Sequence, residues 1–434
     1  MNNINNKEIW LPDADLPRVV VIGAGFAGIS LIKSLRNKPV SMVLLDQNNF
    51  HQFQPLLYQV ATSGLEPDAI SFPVRKLFKG YKNFLFRMVK VVEVRSEEQR
   101  VYTDQGYITY DYLVIATGSV TNYYGLDAIE KHGIGLKTLK ESLNLRSLML
   151  ENLEKAAITN DEKERKRLTN VVIVGGGPAG VELAGALSEF KRFILPIDYP
   201  YFNKDTMNIY LVEAGPRLLA AMSVKSSSTT LKDLTKMGVE VLLETGVKSY
   251  NGREVDLDNS ANIEAATLVW TAGVKGNFPK GITDTEVIAG NRLAVNNYNM
   301  VNGYQNIFAI GDVGGMITTK YPKGHPMVAQ NAIQQGEHLA KNIINLLLNK
   351  KLVPFVYRDK GTMATIGKKR AVAEIAGWNF KGYLAWIIWS TVHLLSIIGF
   401  KNKIFVGLSW LGSYITYDKS NRLIIRKYSK REEE

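Results

Sequence analysis

The chain has 434 residues, 46% of them hydrophobic and 22% charged, which suits two or three globular domains and fits neither a disordered chain nor a polytopic membrane protein. Lys and Arg total 53 against 41 Asp and Glu, a net charge of +12 that points to an anionic partner such as nucleic acid, anionic lipid or phosphate. There is no cysteine, which excludes a disulfide scaffold, iron–sulfur or zinc sites built wholly of cysteines, a thiolate nucleophile and a dithiol relay.

The polar start MNNINNKEIWLPDADLPR lacks the basic-then-apolar pattern of a secretory signal, so a cytoplasmic start is expected. RVVVIGAGFAGISLIKSL then reads as a strand, a tight turn and a helix, and SMVLLDQ closes a β-α-β unit at Asp46. Gly23, Gly25 and Gly28 have the G-x-G-x-x-G spacing, in which the glycines serve a tight turn, close approach to a pyrophosphate and helix–strand packing. Asp46, at the end of the second strand, is placed to accept from an adenosine ribose. Strand, helix and acid agree, so this turn reads as a nucleotide site.

VYTDQGYITYDYLVIATG predicts a hairpin turning at Gln105-Gly106 and then a buried strand that ends at Thr117-Gly118. ITNDEKERKRLTN reads as a solvated helix end and loop. NVVIVGGGPAGVELAGALSEF repeats the glycine pattern at Gly175, Gly177 and Gly180, and IYLVEAGPRLL closes that unit at Glu213. Glu213 lies farther from its first glycine than the roughly 20 residues usual, and an elongated helix plus loop absorbs the excess. A carboxylate there favours a free 2′-hydroxyl, hence NADH over NADPH, with Arg217 as a nearby counter-indication. Glu182 follows the second turn and has two readings, a residue on the nicotinamide side or a stabilising acid in the first turn of the helix. ATLVWTAGVKG, carrying Ala272 and Gly273, echoes the earlier ATG strand, and NIFAIGDVGG runs into Gly311-Asp312. The order of these motifs suggests a first domain interrupted by a second and then resumed.

From Trp378 onward the character changes. Trp378, Trp386, Trp389 and Trp410 all fall here, and Tyr383 to Phe400 contains no formal charge. That stretch stands at the lower edge of spanning length. Three readings follow: an interfacial anchor, a buried or dimer-forming helix, and a true span. Ser390, His393 and Ser396 form a mildly polar stripe expected to lie opposite Trp386 and Trp389, with His393 solvated or facing headgroups. Lys381, Lys401, Lys403, Arg422, Arg426, Lys427, Lys430 and Arg431 supply cations for anionic headgroups, which favours the anchor.

Jointly, LLDQNNFHQFQPLLYQVATSGLEP, GGGPAGVELAGALSE, LVEAGPRLL, FAIGDVGG, AQNAIQQG and the amphipathic terminal block resemble the type II NADH:quinone oxidoreductases over nearly the whole chain. These belong to the two-dinucleotide-domain flavoproteins. The resemblance implies an α/β fold with two Rossmann-like domains, the second inserted in the first. It divides the chain into an FAD domain over 1–130 and 291–360, an NADH domain over 131–290, and a quinone-site and membrane-anchoring amphipathic region over 361–434.

It also implies FAD on Gly23, Gly25, Gly28, Asp46, Thr117, Gly118, Gly311, Asp312 and Ala329, and NADH on Gly175, Gly177, Gly180, Glu182, Glu213, Ala272 and Gly273. Gln330 and Gln334, one helical turn apart, become candidates for the quinone headgroup site, with Lys368 as the cation beside a quinone oxygen and Lys369 and Arg370 as rivals. The expected activity is hydride transfer from NADH to FAD and then two electrons to a membrane quinone, without ion pumping. The expected setting is a homodimer peripheral to the cytoplasmic side of the cell inner membrane, on anionic lipid.

Disulfide reductases and sulfide:quinone reductases need redox cysteines and are excluded. A soluble ferredoxin or rubredoxin reductase is the alternative, although it has no use for the aromatic, basic C-terminus. A nucleic-acid-binding flavoprotein lacks any recognition module.

Overall fold

The valine-rich run Arg18–Ile22 is the middle strand of a five-stranded parallel sheet with Ser41–Asp46 and Phe84–Met88 on one side and Tyr112–Ile115 and Ile307–Ala309 on the other. Val20 stands beside Val43 on one edge and Leu113 on the other. Such a strand is covered on both faces, which is why it reads as a continuous apolar run. The computed structural model describes residues 7–13, 15–203, 205–283, 285–416 and 421–424.

The chain forms two units. This sheet belongs to the one made of the chain up to His51, Phe72–Val120 and Val274–Asp359. Its core gathers Val20, Ile22, Val43, Leu113, Ile307 and Val313 from the two ends of the sequence, each fully buried aliphatic side chain contributing roughly 1.5–3 kcal/mol. Strand Ile307–Ala309 therefore completes a sheet begun almost three hundred residues earlier. The helix Ala329–Leu347 presses onto the first glycine helix, Phe26–Ser34, because Gly336 has no side chain: a Cβ there would lie 2.4 Å from the Ala27 carbonyl oxygen. The hairpin expected around Gln105-Gly106 is present as Arg100–Thr103 paired with Tyr107–Thr109.

The other unit comprises Gln52–Ser71, Thr121–Gly273 and the chain from Lys360 on. Its sheet is again five-stranded and parallel, in the order Ile134–Gly135, Thr267–Trp270, Val171–Val174, Ile209–Val212, Val239–Leu242. The second glycine helix, Pro178–Glu189, continues through a π-turn at Phe190–Ile194 into Leu195–Asp198, and so supplies the extra length before Glu213. The charged ITNDEKERKRLTN segment forms a short helix, Glu162–Thr169, capped by Asp161 and carrying an Arg167–Glu164 ion pair at 2.6 Å.

The C-terminal part is an antiparallel sheet, Thr362–Gly367, Arg370–Ile375 and Trp378–Lys381, followed by helices Gly382–Ser396 and Phe400–Thr416. The uncharged Tyr383–Phe400 run is thus not one helix. It ends at Ser396, where Ile397 turns extended at φ −63° and ψ 139°, and Gly399 follows at φ +89° before the next helix begins. No helix among the described residues is long and apolar enough to cross a membrane, so the spanning reading falls.

The polar stripe is also corrected. His393 lies on the same face as Trp389, not opposite it, with the two rings stacked at 4.2 Å, because residues four apart share a helix face. That face packs inward: Ala385 and Trp389 are buried, and His393 Nδ1 bonds the Trp389 carbonyl at 2.8 Å. His393 is partly buried against Trp389 and not on an outward polar stripe, and burial holds its imidazole down to about 4. The outward face is apolar, with Leu384, Val392, Leu395, Phe400, Phe405, Leu408 and Leu411 exposed.

Of the expected headgroup cations, Arg422 is ion-paired to Asp198 at 2.6 Å and Lys403 Nζ donates to the Leu395 carbonyl at 2.7 Å. Arg426, Lys427, Lys430 and Arg431 lie outside the described residues.

Candidate functional site

The two glycine turns are built alike. Gly23 and Gly175 take φ of +108° and +110°, and a Cβ at Gly28 or Gly180 would lie 2.0 or 1.9 Å from the carbonyl oxygen of its own first glycine. These positions are closed to side chains by the protein itself. The middle glycines are different. Gly177, at φ −72°, has no atom within 4 Å of where its Cβ would stand, and for Gly25 the nearest is the Ala116 oxygen at 3.9 Å. Nothing in the protein forbids a side chain there, so the bare backbone leaves room for a ligand over each helix N-terminus.

Each turn is braced by the acid expected to meet a ribose. Asp46 accepts from the Ala24 amide at 2.7 Å through one oxygen and from Asn48 at 2.7 Å through the other. Glu213 accepts from Gly176 at 2.5 Å and from Gly215 at 2.7 Å. Both carboxylates thus sit at the C-terminal edge of their sheet, beside the first glycine, where a ligand crosses the strand ends. Burial raises the Asp46 carboxyl against the opposing pull of the Ala24 and Asn48 amides. Arg217 is committed elsewhere, to the carbonyls of Met222 at 2.7 Å and Ala220 at 2.6 Å.

In the first unit Thr117 donates its hydroxyl to the Asn277 carbonyl, and the Gly118 carbonyl accepts from the Asn277 amide at 3.1 Å. Ser119 donates to Asp312 at 2.5 Å, which ties the ATG segment to the Gly311-Asp312 turn. Gly311 in turn donates its amide to Gln335 Oε1 at 2.7 Å. Gln335 is fully buried and its Nε2 meets no protein acceptor. Ala329 opens this helix. Gln330 and Gln334 share a face, as expected, and both reach one segment: Gln330 donates to Asp359 at 3.3 Å, while Gln334 donates to the Arg358 carbonyl at 2.9 Å and accepts its amide at 3.0 Å.

In the second unit Thr271, before Ala272 and Gly273, donates its hydroxyl to the Val174 and Gly175 carbonyls at 2.8 and 3.1 Å. Glu182 is the fifth residue of its helix and buried, so it is not a first-turn acid interacting with a helix terminus. It faces the Thr362–Gly367 strand and accepts the Thr365 amide at 3.3 Å. Burial pushes its carboxyl up to about 8, against the weaker pull of the Thr365 amide and the Trp389 indole. Tyr58, buried nearby, is pushed well above the usual phenol range, first by burial and then by Glu182.

Two turns along the same helix, Glu189 accepts the Lys368 amide and so fixes the hairpin turn. Between them, Gly185 allows the helix to touch the strand, since a Cβ would lie 1.9 Å from the Ile366 oxygen. Partial burial lowers the Lys368 ammonium, while the charge of Glu189 opposes the shift. Lys369 is exposed at the turn with φ of +64°. Lys368 thus combines partial desolvation with a carboxylate neighbour.

Sequence reasoning missed His51, Gln335 and Glu189. His51 lies inside the quoted LLDQNNFHQFQPLLY block, and a histidine five residues past the acid expected to meet a ribose is its only local signal. Gln335 and Glu189 likewise fall inside the quoted AQNAIQQG and GGGPAGVELAGALSE blocks, but the partner each one meets is set by the fold.

The chain matches the family model described as pyridine nucleotide-disulphide oxidoreductase over residues 17–336, and an NDH2 C-terminal domain over 360–416. It is 32% identical to the type II NADH:quinone oxidoreductase Ndh of Mycobacterium tuberculosis over 93% of this chain and 90% of that one. It is 30% identical to the type II NADH:quinone oxidoreductase of Haemophilus influenzae, covering 83% and 87%. The structure of NDH2 from Plasmodium falciparum in complex with NADH shares the fold at a TM-score of 0.86, with 20% identity over 94% of this chain and all of that one.

Proposed function

The chain belongs to the type II NADH:quinone oxidoreductases within the pyridine nucleotide-disulphide oxidoreductase family, and on that premise we propose that it oxidises NADH with FAD as its bound cofactor and passes the electrons to a membrane quinone. The observation that carries this reading is the pair of open glycine turns, each with its own carboxylate brace at Asp46 or Glu213. When bound, the flavin accepts a hydride from NADH and delivers two electrons to the quinone.

The residues of the first unit fit a flavin dinucleotide. Gly25 leaves the space for a pyrophosphate, Asp46 offers its remaining lone pairs to a ribose, Asp312 stands at a strand end, and Gln335 Nε2 is a buried donor with no protein partner. Gly23, Gly28, Thr117, Gly118, Gly311 and Ala329 shape that site. In the second unit Gly177 leaves the space for NADH, and Gly175, Gly180, Ala272 and Gly273 shape it. Glu213 accepts from the ribose hydroxyls and would repel a 2′-phosphate.

Quinone reduction consumes protons as well as electrons. Glu182 holds a proton on its carboxyl at neutral pH and is the residue of this unit suited to hand one over. Lys368 supplies a positive charge for a quinone oxygen as that oxygen becomes negative. Gln330 and Gln334 offer amides for the headgroup, provided that the Arg358–Asp359 segment yields them.

The exposed apolar faces of Gly382–Ser396 and Phe400–Thr416 support peripheral attachment to anionic lipid at the cytoplasmic face of the inner membrane. A soluble ferredoxin-type reductase has no need of such faces. The test is spectroscopic: purified protein should carry a flavin spectrum that NADH bleaches and a short-chain quinone restores. Absence of flavin, or indifference to quinone, overturns the reading.

A further inference from the structure

Ala24, the residue between the first two glycines of the first turn, is held by both of its backbone groups. Its amide donates to Asp46 at 2.7 Å, and its carbonyl is bonded by His51 Nδ1 at 2.9 Å. The second unit contains the same arrangement with one difference. Gly176, the equivalent residue, donates its amide to Glu213, but its carbonyl accepts from the backbone amide of Leu219 at 2.8 Å. A main-chain N–H is therefore enough to brace this carbonyl. The first unit uses an imidazole for the same task, and an imidazole has a second nitrogen.

That second nitrogen is not used by the protein. His51 is 2% exposed, its ring stands edge-on to Phe26 at 5.1 Å, and Nε2 is buried with no hydrogen-bond partner. A carbonyl oxygen only accepts, so Nδ1 carries the hydrogen and Nε2 of the neutral ring is a bare acceptor. Burial keeps the ring neutral by holding it down to about 4. A buried acceptor with no donor is costly to leave unmet. It cannot pair with the oxygens of an ionised pyrophosphate, which are themselves acceptors. It can pair with a hydroxyl.

We propose that His51 is a further cofactor-binding residue, whose Nδ1 braces the Ala24 carbonyl while its Nε2 accepts a hydrogen bond from a sugar-chain hydroxyl, ribityl or ribose, of the dinucleotide held on the Gly23–Gly28 turn. The inference rests on the reading of that turn as the FAD site. It adds a specificity element that the NADH turn lacks, since that turn closes the same carbonyl with main chain alone.

Two isosteres separate the two nitrogens. His51→Asn keeps an amide donor near the place of Nδ1 and loses Nε2. His51→Gln offers an amide oxygen near the place of Nε2 and loses the Nδ1 donor. FAD is titrated into apoprotein and followed by quenching of flavin fluorescence, alongside apoprotein melting. The expected result is that His51→Asn melts close to the parent and binds FAD about five- to tenfold more weakly, the loss of one neutral hydrogen bond. His51→Gln is expected to melt lower but bind FAD more tightly than His51→Asn.

The reverse order of FAD affinities, or parental affinity in His51→Asn, overturns the inference and leaves a purely bracing histidine. If His51→Asn does not fold, the imidazole 15N resonances of the parent read the same bond. The Nε2 signal, assigned by its absence from His51→Gln, should move upfield when FAD is added, and a stationary signal overturns the inference. A parent that takes up no FAD at all overturns the reading of the turn itself.

Discussion

Glu182 accepts the Thr365 amide at 3.3 Å, a bond between the helix that follows the second glycine turn and the strand that leads into the lysine hairpin. With little besides that amide and the Trp389 indole to oppose burial, the carboxyl is raised from 4.5 to about 8. The folded chain therefore holds a proton that the unfolded chain has released anywhere between those two values. The associated stability is complete below about pH 4.5 and is lost as pH rises towards 8.

Glu182→Gln keeps an acceptor for the Thr365 amide and removes the titration. Its stability relative to the parent, read by denaturant unfolding at each pH, should rise steadily from pH 5 to pH 8, the change reaching roughly 3 kcal/mol. A pH-independent difference would mean that the carboxyl is ionised in the folded chain.

Lys368 and Lys369 stand next to each other but differ in burial, and their substitutions should separate accordingly. Lys368→Met is expected to lower quinone-limited turnover by about 10- to 100-fold, while stopped-flow bleaching of the flavin by NADH stays unchanged. Lys369→Met should leave both nearly unaltered. Equal effects from the two would assign the hairpin a general electrostatic role.

At the NADH turn, Gly177 and Gly180 make opposite predictions. Gly177→Ala meets no protein atom, so stability should change by no more than about 1 kcal/mol, while the KM for NADH rises by at least tenfold. Gly180→Ala drives a Cβ to 1.9 Å from the Gly175 oxygen and should destabilise the unit by about 3 kcal/mol or more. Calorimetry with NADH titration distinguishes them, and unaltered NADH binding in Gly177→Ala would remove the pyrophosphate from that turn.

Replacing Glu213 by Ala removes both the ribose acceptor and the brace on Gly176. The ratio of kcat/KM for NADH to that for NADPH should fall by about tenfold or more. An unchanged ratio would take Glu213 out of nucleotide selection.

Membrane attachment is best tested by point changes. Removing residues 379–434 would strip Trp389 from beside Glu182 and so mix anchoring with the chemistry. Leu395 and Leu408 are 66% and 60% exposed, so Leu395→Glu with Leu408→Glu leaves the packing alone. Co-sedimentation with anionic vesicles should fall by roughly 100-fold, as expected for two leucines withdrawn from lipid. Undiminished binding would exclude these faces as the anchor.

What the sequence by itself determined is local in origin. The two glycine turns, Asp46, Glu213 and the hairpin at Gln105-Gly106 are legible because a strand, a tight turn and a helix are specified by residues within a few positions of one another. The missing cysteines likewise settled which relatives could not share this chemistry.

Tertiary structure decided the rest. Whether the His393 face of the C-terminal helix points in or out depends on which surface it meets, and Trp389 carries it inward against expectation. Gln335 and Glu189 sit in blocks that the sequence marks, but that they meet Gly311 and Lys368 follows only from the fold, since no local pattern links those positions. His51 is the sharpest case. Its type and position were plain in the sequence, but only the Ala24 carbonyl claims one of its nitrogens and so defines what the other can accept.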